Sequence, residues 1–373
     1  MSLTIFLSNN DVRQKFRQEF PKPKFSVNKE MLAPPITKNY VLVGTAFDYL
    51  LRFYVEHINP NTITGPWVAE VVAQMIEDTD KVLHKKTKKI IPRAKENYSQ
   101  FLKTGEITDD LINSTLLLAK LDFKARGCFI DTEMGVTDYE DVNDLRDLIS
   151  IVDTKNFKAK NVCILNPTFG EGSGLVDGAD ADLIIDDILI DIKTTKKLEL
   201  TQYHINQLMG YYILYKIGGI DGLSPKHKIK KLGIYFSRHG YLYVIDIQKI
   251  INKDTFPDFL EWFKYRASGK NIPTKSIDYK KMIEKTKKKW EKEKDRILEL
   301  AFADERVKKI IKGRKYDIIG HGSETCFGVN NRMLHIRIGD MEYEIIIDLN
   351  EDKVVGINKL KIKLKRIKNW NYS

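Results

Sequence analysis

The chain has 373 residues, of which 42% are hydrophobic, so it can bury the core of one large domain or of two. Its 62 lysine and arginine residues outnumber its 51 aspartate and glutamate residues. The resulting formal net charge of +11 favours a polyanionic partner, nucleic acid before membrane. No run of 18 apolar residues occurs and the N-terminal apolar stretch is short, so neither a membrane span nor a signal peptide is expected.

The three cysteines indicate a reducing environment. Cys128, Cys163 and Cys326 are widely separated and lack CxxC spacing. By themselves they cannot form a four-thiolate zinc or iron–sulfur site. A reducing, cytoplasmic location is therefore the simplest expectation.

Helical patterns dominate the first part of the chain. After an extended, proline-containing segment over residues 1–39, long apolar-periodic runs with few breakers predict helices. The predicted helices cover the ranges 40–58, 66–103, 107–126, 138–152, 201–217 and 255–302.

Strand patterns begin near residue 160. The predicted strands lie in VCIL, ADADLII, ILIDIKT, and KLGIYFSRHGYLYVIDI, where two runs are joined at His239-Gly240. Four short alternating segments follow near the C-terminus: KYDIIG, MLHIRIG, MEYEIIIDLN and KVVGI. We therefore expect an α/β domain over 40–303, with a helical insertion at about 60–155, and a small β-rich module over 304–373.

The hairpin DADLIIDDILIDIKTT concentrates charge in an otherwise apolar segment. A turn at 186–187 places Asp182 opposite Asp191 and Asp180 opposite Lys193, all four on one face. Like charges that face each other across a strand pair are destabilising, so the two facing carboxylates call for a cation between them. A hard, oxygen-seeking ion such as Mg²⁺ fits this pair. The alternative interpretation is a solvated hairpin face with cross-strand salt bridges.

The residues Asp182, Asp191, Ile192 and Lys193 resemble the core motif of the PD-(D/E)XK nuclease superfamily, an acid followed after a gap by acid-x-lysine. The resemblance implies that Asp182 and Asp191 bind Mg²⁺ together with the main-chain carbonyl of Ile192. It also implies that Lys193 is the catalytic lysine, which helps to activate the attacking water.

Two further motifs are similar to the RecB/AddB-like branch of that superfamily. Gln207 and Tyr211 form a Q-x-x-x-Y pattern after the hairpin, which implies a role in positioning the substrate. The segment VGTAFDYLLRFYVE (43–56) resembles the first-helix motif G-T-x-x-H, with Asp48 in place of the usual histidine. This match implies that Asp48 is a further metal ligand.

Each of these motifs also has a plainer interpretation. Gln207 and Tyr211 are consistent with the edge of an amphipathic helix. Asp48, Arg52 and Glu56 follow the i, i+4, i+8 spacing of a surface salt-bridge stripe. In addition, Glu70, in the apolar segment WVAEVVAQMI, is an alternative upstream acid.

The motifs occur in the order found in the RecB/AddB-like branch, over roughly residues 40–265. The resemblance implies a restriction-endonuclease-like core, with a central mixed sheet flanked by helices. The cysteine quartet of the iron–sulfur members is missing, so no iron–sulfur cluster is expected.

Basic and histidine-containing segments outside these motifs give weaker signals. The tract 280–294 mixes lysine with glutamate and is typical of a solvated helix, whereas 359–368 alternates lysine with apolar residues and is a candidate DNA contact. The histidines show no paired metal-ligand spacing, and His204 is expected to be structural. No GxxxxGK phosphate loop occurs, and the glycine-rich 170–178 lacks its lysine.

The sequence therefore predicts a Mg²⁺-dependent nuclease that acts on DNA, with Mn²⁺ able to replace Mg²⁺ and no membrane association. A non-catalytic nucleic-acid-binding or assembly subunit that keeps the scaffold is the alternative from another class. A structure-selective or RNA-directed nuclease would share the same chemistry. Oligomerisation and membership of a larger complex stay open.

Overall fold

The computed structural model describes residues 2–77, 81–125, 135–176, 178–269, 293–324, 331–339, 341–349 and 351–361. The chain divides into two compact units. The first comprises Met1–Asp122 and Met134–Thr274, and the second comprises Phe123–Glu133 and Lys275–Ser373. Among the described residues, no helix combines the length and apolar character needed to cross a membrane.

Helices flank a mixed sheet in the part of the chain up to residue 269. The helices are α1 Leu3–Ser8, α2 Asn10–Glu19, α3 Tyr40–Ile58, α4 Val68–Met75, α5 Lys81–Thr104, α6 Asp109–Ala125, α7 Tyr139–Ser150, α8 Glu171–Gly174, α9 Gln202–Gly218 and α10 Phe256–Ala267. The strands are β1 Ile63–Thr64, β2 Cys163–Leu165, β3 Leu183–Ile185, β4 Ile188–Lys193, β5 Lys231–Phe236 and β6 Tyr241–Asp246.

The N-terminal segment differs from the predicted extended conformation over 1–39. Residues 3–19 form α1 and α2, whose apolar side chains Phe6, Val12 and Phe16 are buried. Within each helix the buried residues are three or four positions apart, as Val12 and Phe16 are in α2, so they share one face. Burial of that face against the core stabilises two short helices. Only the proline-containing part after Glu19 lacks helix and strand up to Tyr40.

The predicted helix over 66–103 is instead two helices. α4 ends at Met75 and α5 begins at Lys81. The segment EDTD (77–80) offers no apolar side chain for a continuous buried stripe, which is the signal that the prediction overlooked. The predictions for α3, α6, α7 and α9 are confirmed to within about two residues.

The six strands lie in the order β1-β2-β3-β4-β5-β6. The pairs β1–β2 and β4–β5 are parallel and the other neighbours are antiparallel, so the sheet is mixed. Parallel pairing of β4 with β5 requires a crossover, which α9 supplies. The fold is therefore α/β, with a mixed six-stranded sheet and helices.

The register predicted for the β3–β4 hairpin is confirmed. Leu183 pairs with Ile190 and Ile185 with Ile188, so the turn lies at 186–187. Asp186 adopts a φ of 51°, and its carboxylate accepts hydrogen bonds from the backbone N–H groups over 160–162. This aspartate therefore has a structural role at the turn.

The predicted pairing of Asp180 with Lys193 lies outside the observed ladder. Asp180 forms an isolated bridge with Thr168. Two residues later, the carbonyl oxygen of Asp182 accepts a hydrogen bond from the Asn166 N–H. The chain before β3 thus turns toward residues 166–168, which ends the hairpin ladder at Leu183.

A large apolar cluster covers one face of the sheet. It joins α1, α2, α9 and α10 to the inward side chains of β3, β4 and β5. Leu183, Ile184, Leu189 and Ile190 are all fully buried, so the hairpin is covered on both faces. α3 packs against α5 and α7.

The second unit contains a separate sheet with its own core. Its described elements are α11 over 293–303, α12 Glu305–Ile311, β7 Asp317–Glu324, β8 Asn331–Ile338, β9 Met341–Asp348 and β10 Lys353–Lys361. The strands form an antiparallel sheet in the order β10-β9-β8-β7, and the two helices share a buried cluster with it. The predicted β-rich character is confirmed, whereas α12 was not predicted.

Both basic tracts noted in the sequence lie largely outside the described residues. Of the tract 280–294, only its last two residues are described, at the start of α11. β10 includes the beginning of the tract 359–368, where Lys359 is exposed and pairs with Tyr343. The predicted DNA contact along the rest of that tract stays a prediction.

Candidate active site

The hairpin brings its two predicted acids to the centre of the sheet. Asp182 immediately precedes β3, and Asp191 lies in β4 one position beyond the last hairpin pair. Asp191 is only 1% exposed. A solvated hairpin face therefore does not describe the Asp191 carboxylate, whereas Asp182 is half-buried.

Asp182 is held by the backbone of the opposite strand. Its Oδ2 atom accepts a hydrogen bond from the Ile192 N–H at 2.6 Å. This bond directs the Asp182 carboxylate toward the strand that carries Asp191 and Lys193. The residue predicted to give a carbonyl ligand, Ile192, thus also orients the first acid through its amide.

Lys193 links the hairpin to α9 through a chain of side chains. Its Nζ atom lies 2.7 Å from Asp191 Oδ2, an ion pair in which the lysine is 18% exposed. The same Nζ donates to Gln207 Oε1 at 3.0 Å, and Gln207 Nε2 donates to the Tyr211 hydroxyl at 3.0 Å. The structure therefore joins both residues of the Q-x-x-x-Y pattern to the lysine.

Asp48 reaches the same region from α3. A Cβ atom on Gly44, one turn earlier, would lie 3.6 Å from Thr194 Cβ, which shows how closely α3 passes the end of β4. One oxygen of Asp48 is paired with Arg52. The other, Oδ1, is buried and has no hydrogen-bond partner among the described residues.

The salt-bridge interpretation of α3 holds only for its first pair. Asp48 and Arg52 form an ion pair, and the Arg52 guanidinium stacks 4.7 Å from the centre of the Tyr49 ring. Glu56 instead forms a hydrogen bond with Tyr98, and burial raises its pKa. Asp48 is therefore both a paired residue and a neighbour of the acidic cluster.

Burial and mutual repulsion act on the two hairpin acids. Burial raises the pKa of Asp182 well above its ordinary value, and the negative charges of Asp48 and Asp191 raise it further. Burial also raises the pKa of Asp191. The positive charge of Lys193 opposes this shift, and the negative charge of Asp48 adds to it. The cluster is thus electrostatically costly without an additional positive charge.

The pKa of Lys193 is also raised, although burial acts on a lysine in the opposite direction. Burial alone would lower the pKa of Lys193, but the charges of Asp191 and Asp182 outweigh it and raise the pKa. Burial, followed by the charges of the same two acids, raises the pKa of Tyr211 well above its ordinary value. At neutral pH the lysine is therefore charged and the tyrosine is protonated.

The donor set fits a hard divalent cation. Asp182, Asp191 and the carbonyl of Ile192 supply oxygen donors, the ligand type that Mg²⁺ prefers. The unpartnered Oδ1 of Asp48 adds a buried negative oxygen nearby. Among the described residues, no group of three or more His, Cys, Asp and Glu side chains is arranged to hold a metal ion. The fit therefore depends on two side chains and a main-chain carbonyl, with Asp48 as a charged neighbour.

Two residues considered in the sequence have structural roles. The Glu70 carboxylate accepts a hydrogen bond from the Trp67 N–H at the start of α4 and pairs with Lys95. His204 belongs to the capping box of α9, where its Nδ1 accepts from the Thr201 N–H at 3.3 Å. The structure thus gives Glu70 a helix-capping role and agrees with the structural role expected for His204.

Aromatic and basic side chains next to the cluster were missed by the sequence reasoning. Tyr203 is 48% exposed, and its charge interaction contributes to the pKa of Lys193. Lys196, three residues after Lys193, donates to the Tyr40 hydroxyl at 2.8 Å and lies 4.2 Å from the centre of that ring. Their only signal in the sequence is proximity to Lys193 and to the first helix.

Fold and site together define an α/β protein whose mixed sheet carries a cluster of two aspartates and a lysine, of which Asp191 is buried. No protein-family model matches the chain, and neither a curated protein nor a solved structure does.

Proposed function

We propose that the protein is a Mg²⁺-dependent nuclease that hydrolyses phosphodiester bonds in DNA, with a restriction-endonuclease-like core. The observation that carries the proposal is that Asp182, just before β3, and the β4 residues Asp191 and Lys193 lie together, with Asp191 buried. The surplus of positive charge, +11 over the whole chain, supports a polyanionic substrate.

Asp182, Asp191 and the Ile192 carbonyl are the groups that would hold the cation. When bound, a divalent cation supplies Lewis-acid polarisation of a phosphate and a nucleophile at neutral pH. The raised pKa values of both aspartates favour uptake of positive charge at this position, because it relieves their mutual repulsion.

Lys193 has the charge and the position to act electrostatically on a bound phosphate. Since its pKa is raised, it keeps its proton at neutral pH and can stabilise negative charge that develops on the phosphate oxygens. Gln207 fixes the direction of the ammonium group, and Tyr211 fixes the amide of Gln207. The three residues thus hold the ammonium group of Lys193 in a fixed position beside the acids.

A cleavage assay tests this function. Linear, circular, single-stranded and branched DNA, together with RNA, are incubated with the protein in Mg²⁺, Mn²⁺ or EDTA. We expect metal-dependent cleavage that Asp191→Asn reduces by about a hundredfold or more. Asp187→Asn is the matched control, because Asp187 lies in the turn of the same hairpin.

The outcomes separate the alternatives. Cleavage by Asp191→Asn at the wild-type rate would refute the assignment of the site. Binding of DNA without cleavage under any metal condition would favour the non-catalytic subunit. Preferential cleavage of RNA would move the proposal to an RNA-directed nuclease with the same residues.

A further inference from the structure

Helix α5 carries a dense and unbalanced run of positive charge. Between residues 81 and 95 it has seven lysine and arginine residues and no aspartate or glutamate. All seven side chains are exposed. They are Lys81, Lys85, Lys86, Lys88, Lys89, Arg93 and Lys95.

Four of these side chains lie opposite the buried stripe of the helix, and the other three lie beside it. The buried residues Leu83, Thr87, Ile90 and Ala94 recur at intervals of three and four and face the core. At 3.6 residues per turn, the row 81, 85, 88 and 95 falls on the other side of the helix. The row spans about 21 Å at 1.5 Å per residue, the length of several phosphates along a nucleic-acid strand.

Three lysines of this run have no acidic partner within the part of the chain that the structure describes. Lys85, Lys88 and Lys89 form no ion pair with an acid among the described residues, whereas Lys95 pairs with Glu70 and Arg93 pairs with acids on α5 and α6. Like charges one turn apart destabilise a helix by a few tenths of a kcal/mol per pair. A bound polyanion would remove this repulsion.

A concave surface lies beside the same row. Between α5 and α6 a cavity of about 330 Å³ is lined by Lys86, Lys89, Arg93 and Ser114, over the apolar side chains of Ile90 and Leu117. Ser114 is buried and its hydroxyl donates to the Asp110 carbonyl, so the lysine and arginine side chains are the groups there that can contact phosphate oxygens.

We infer that the exposed basic side of α5, with this groove, binds the phosphate backbone of DNA independently of sequence. Non-specific binding of this kind comes mainly from lysine and arginine that neutralise phosphates and release counterions. The inference concerns a surface other than the acidic cluster, and it holds whether or not the protein cleaves DNA.

The helix is anchored to the one that carries Asp48. The Tyr98 ring of α5 lies 4.5 Å from the Phe53 ring of α3, measured between centroids, and Phe101 lies 5.2 Å from His57. DNA held on α5 would therefore be bound by the same compact unit that contains the acidic cluster.

The test measures DNA affinity against salt concentration by fluorescence anisotropy, in EDTA, with an unrelated pair of duplex sequences. The variant Lys85→Gln/Lys88→Gln/Lys89→Gln should bind both duplexes at least tenfold more weakly at low salt. The plot of log affinity against log salt concentration should become less steep by roughly 2–3, since each lost phosphate contact reduces the magnitude of its negative slope by about 0.9.

The control Lys226→Gln/Lys249→Gln/Lys253→Gln removes the same charge from exposed positions elsewhere in the first unit. An unchanged salt slope in the α5 variant, or an equal loss in the control, would overturn the inference. So would a selective loss of binding to vesicles of anionic phospholipid with DNA binding intact, which would assign this surface to membranes. Because no metal is present, failure of the proposed nuclease activity would leave this result unaffected.

Discussion

At the residue scale, the surroundings of Asp182 act in opposite directions on its ionisation. Its carboxylate accepts the Ile192 N–H, which favours the charged form, yet burial and the neighbouring acids raise its pKa. A carboxylate with these properties is stable in the folded state only when protonated or when a cation is present. This balance makes it sensitive to both pH and metal.

Asp182→Asn should therefore stabilise the metal-free protein at pH 8. The folded-state pKa lies above the unfolded value, so the stability that Asp182 contributes is present below about pH 4 and lost as pH rises through the folded pKa. Asparagine keeps an acceptor for the Ile192 N–H without the charge. We expect a melting temperature in EDTA several degrees higher, at roughly 2–4 °C per kcal/mol, and a smaller rise on addition of Mn²⁺.

Differential scanning fluorimetry at pH 5 and pH 8 measures this effect, with Asp187→Asn as the control. A variant less stable than wild type at pH 8 in EDTA would show that the Asp182 carboxylate is stabilising without metal.

Gln207 acts through Lys193 in the proposed site. Gln207→Ala removes the acceptor of the lysine and should lower the kcat of metal-dependent DNA cleavage by about 10–100-fold, the range for a hydrogen bond to a charged group. Tyr211→Phe removes only the hydroxyl that accepts a hydrogen bond from the Gln207 amide, so it should lower kcat by a smaller factor. Steady-state kinetics measures which variant loses more kcat, with the exposed α9 variant Lys216→Ala as reference. A larger loss for Tyr211→Phe than for Gln207→Ala would contradict it.

At the element scale, a buried ion pair ties the turn after β5 to α7. Arg238 Nη1 and Nη2 contact the two Asp144 oxygens at 2.7 and 3.1 Å, and both side chains are almost fully buried. Arg238 also donates to the Ala33 carbonyl, so the irregular lead into α3 is fixed at the same point.

Asp144→Ala should destabilise the first unit by about 3–5 kcal/mol, because it leaves the Arg238 charge buried and unpaired. The exposed Asp147→Ala on the same helix should change stability by less than about 0.5 kcal/mol. Urea unfolding followed by tryptophan fluorescence measures both. Equal effects of the two variants would show that the pair contributes nothing specific.

The first turn of α9 should give a distinct pH response. Burial, followed by the charge of Lys193, lowers the pKa of His204 to about 4. Because the pKa of His204 is lower in the folded state than in the unfolded state, neutral His204 stabilises the fold above the unfolded pKa of about 6.5. This stabilisation is lost as the pH falls toward 4.

His204→Gln keeps a residue suited to this position of the capping box and removes the titration. Between pH 6.5 and 4, wild type should lose up to about 3 kcal/mol more than the variant, at about 1.4 kcal/mol per pKa unit. Parallel stability curves over that interval would show that His204 titrates normally.

The elements differ in how well the sequence predicts them. The β3–β4 register followed from period-two alternation and the turn at 186–187, and the structure reproduces it. α1 and α2 were missed because each is short and is stabilised by packing, as Phe16 against Phe259 illustrates. The path of the chain before β3 was missed because Asp180 is paired by tertiary contact with Thr168.

At the scale of the whole molecule, two compact units have separate cores. The acidic cluster and the basic side of α5 both belong to the first. The sequence predicted the grouping of Asp182, Asp191, Lys193 and Gln207, and it left open whether Asp48 is a metal ligand or part of a salt-bridge stripe. In the structure Asp48 pairs with Arg52 and its charge also raises the pKa of Asp182, because α3 passes close to the end of β4. The basic side of α5 was not predicted as a DNA contact, although the sequence shows seven basic and no acidic residues between positions 81 and 95.

Direct titration of Mn²⁺ into metal-free protein at pH 8 tests the central claim, that Asp182 and Asp191 together hold a divalent cation. Calorimetry should show saturable binding to wild type and to Asp187→Asn, weakened by on the order of tenfold or more in Asp191→Asn and in Asp182→Asn. Equal binding by wild type and both site variants, or no saturable binding to wild type, would contradict the claim.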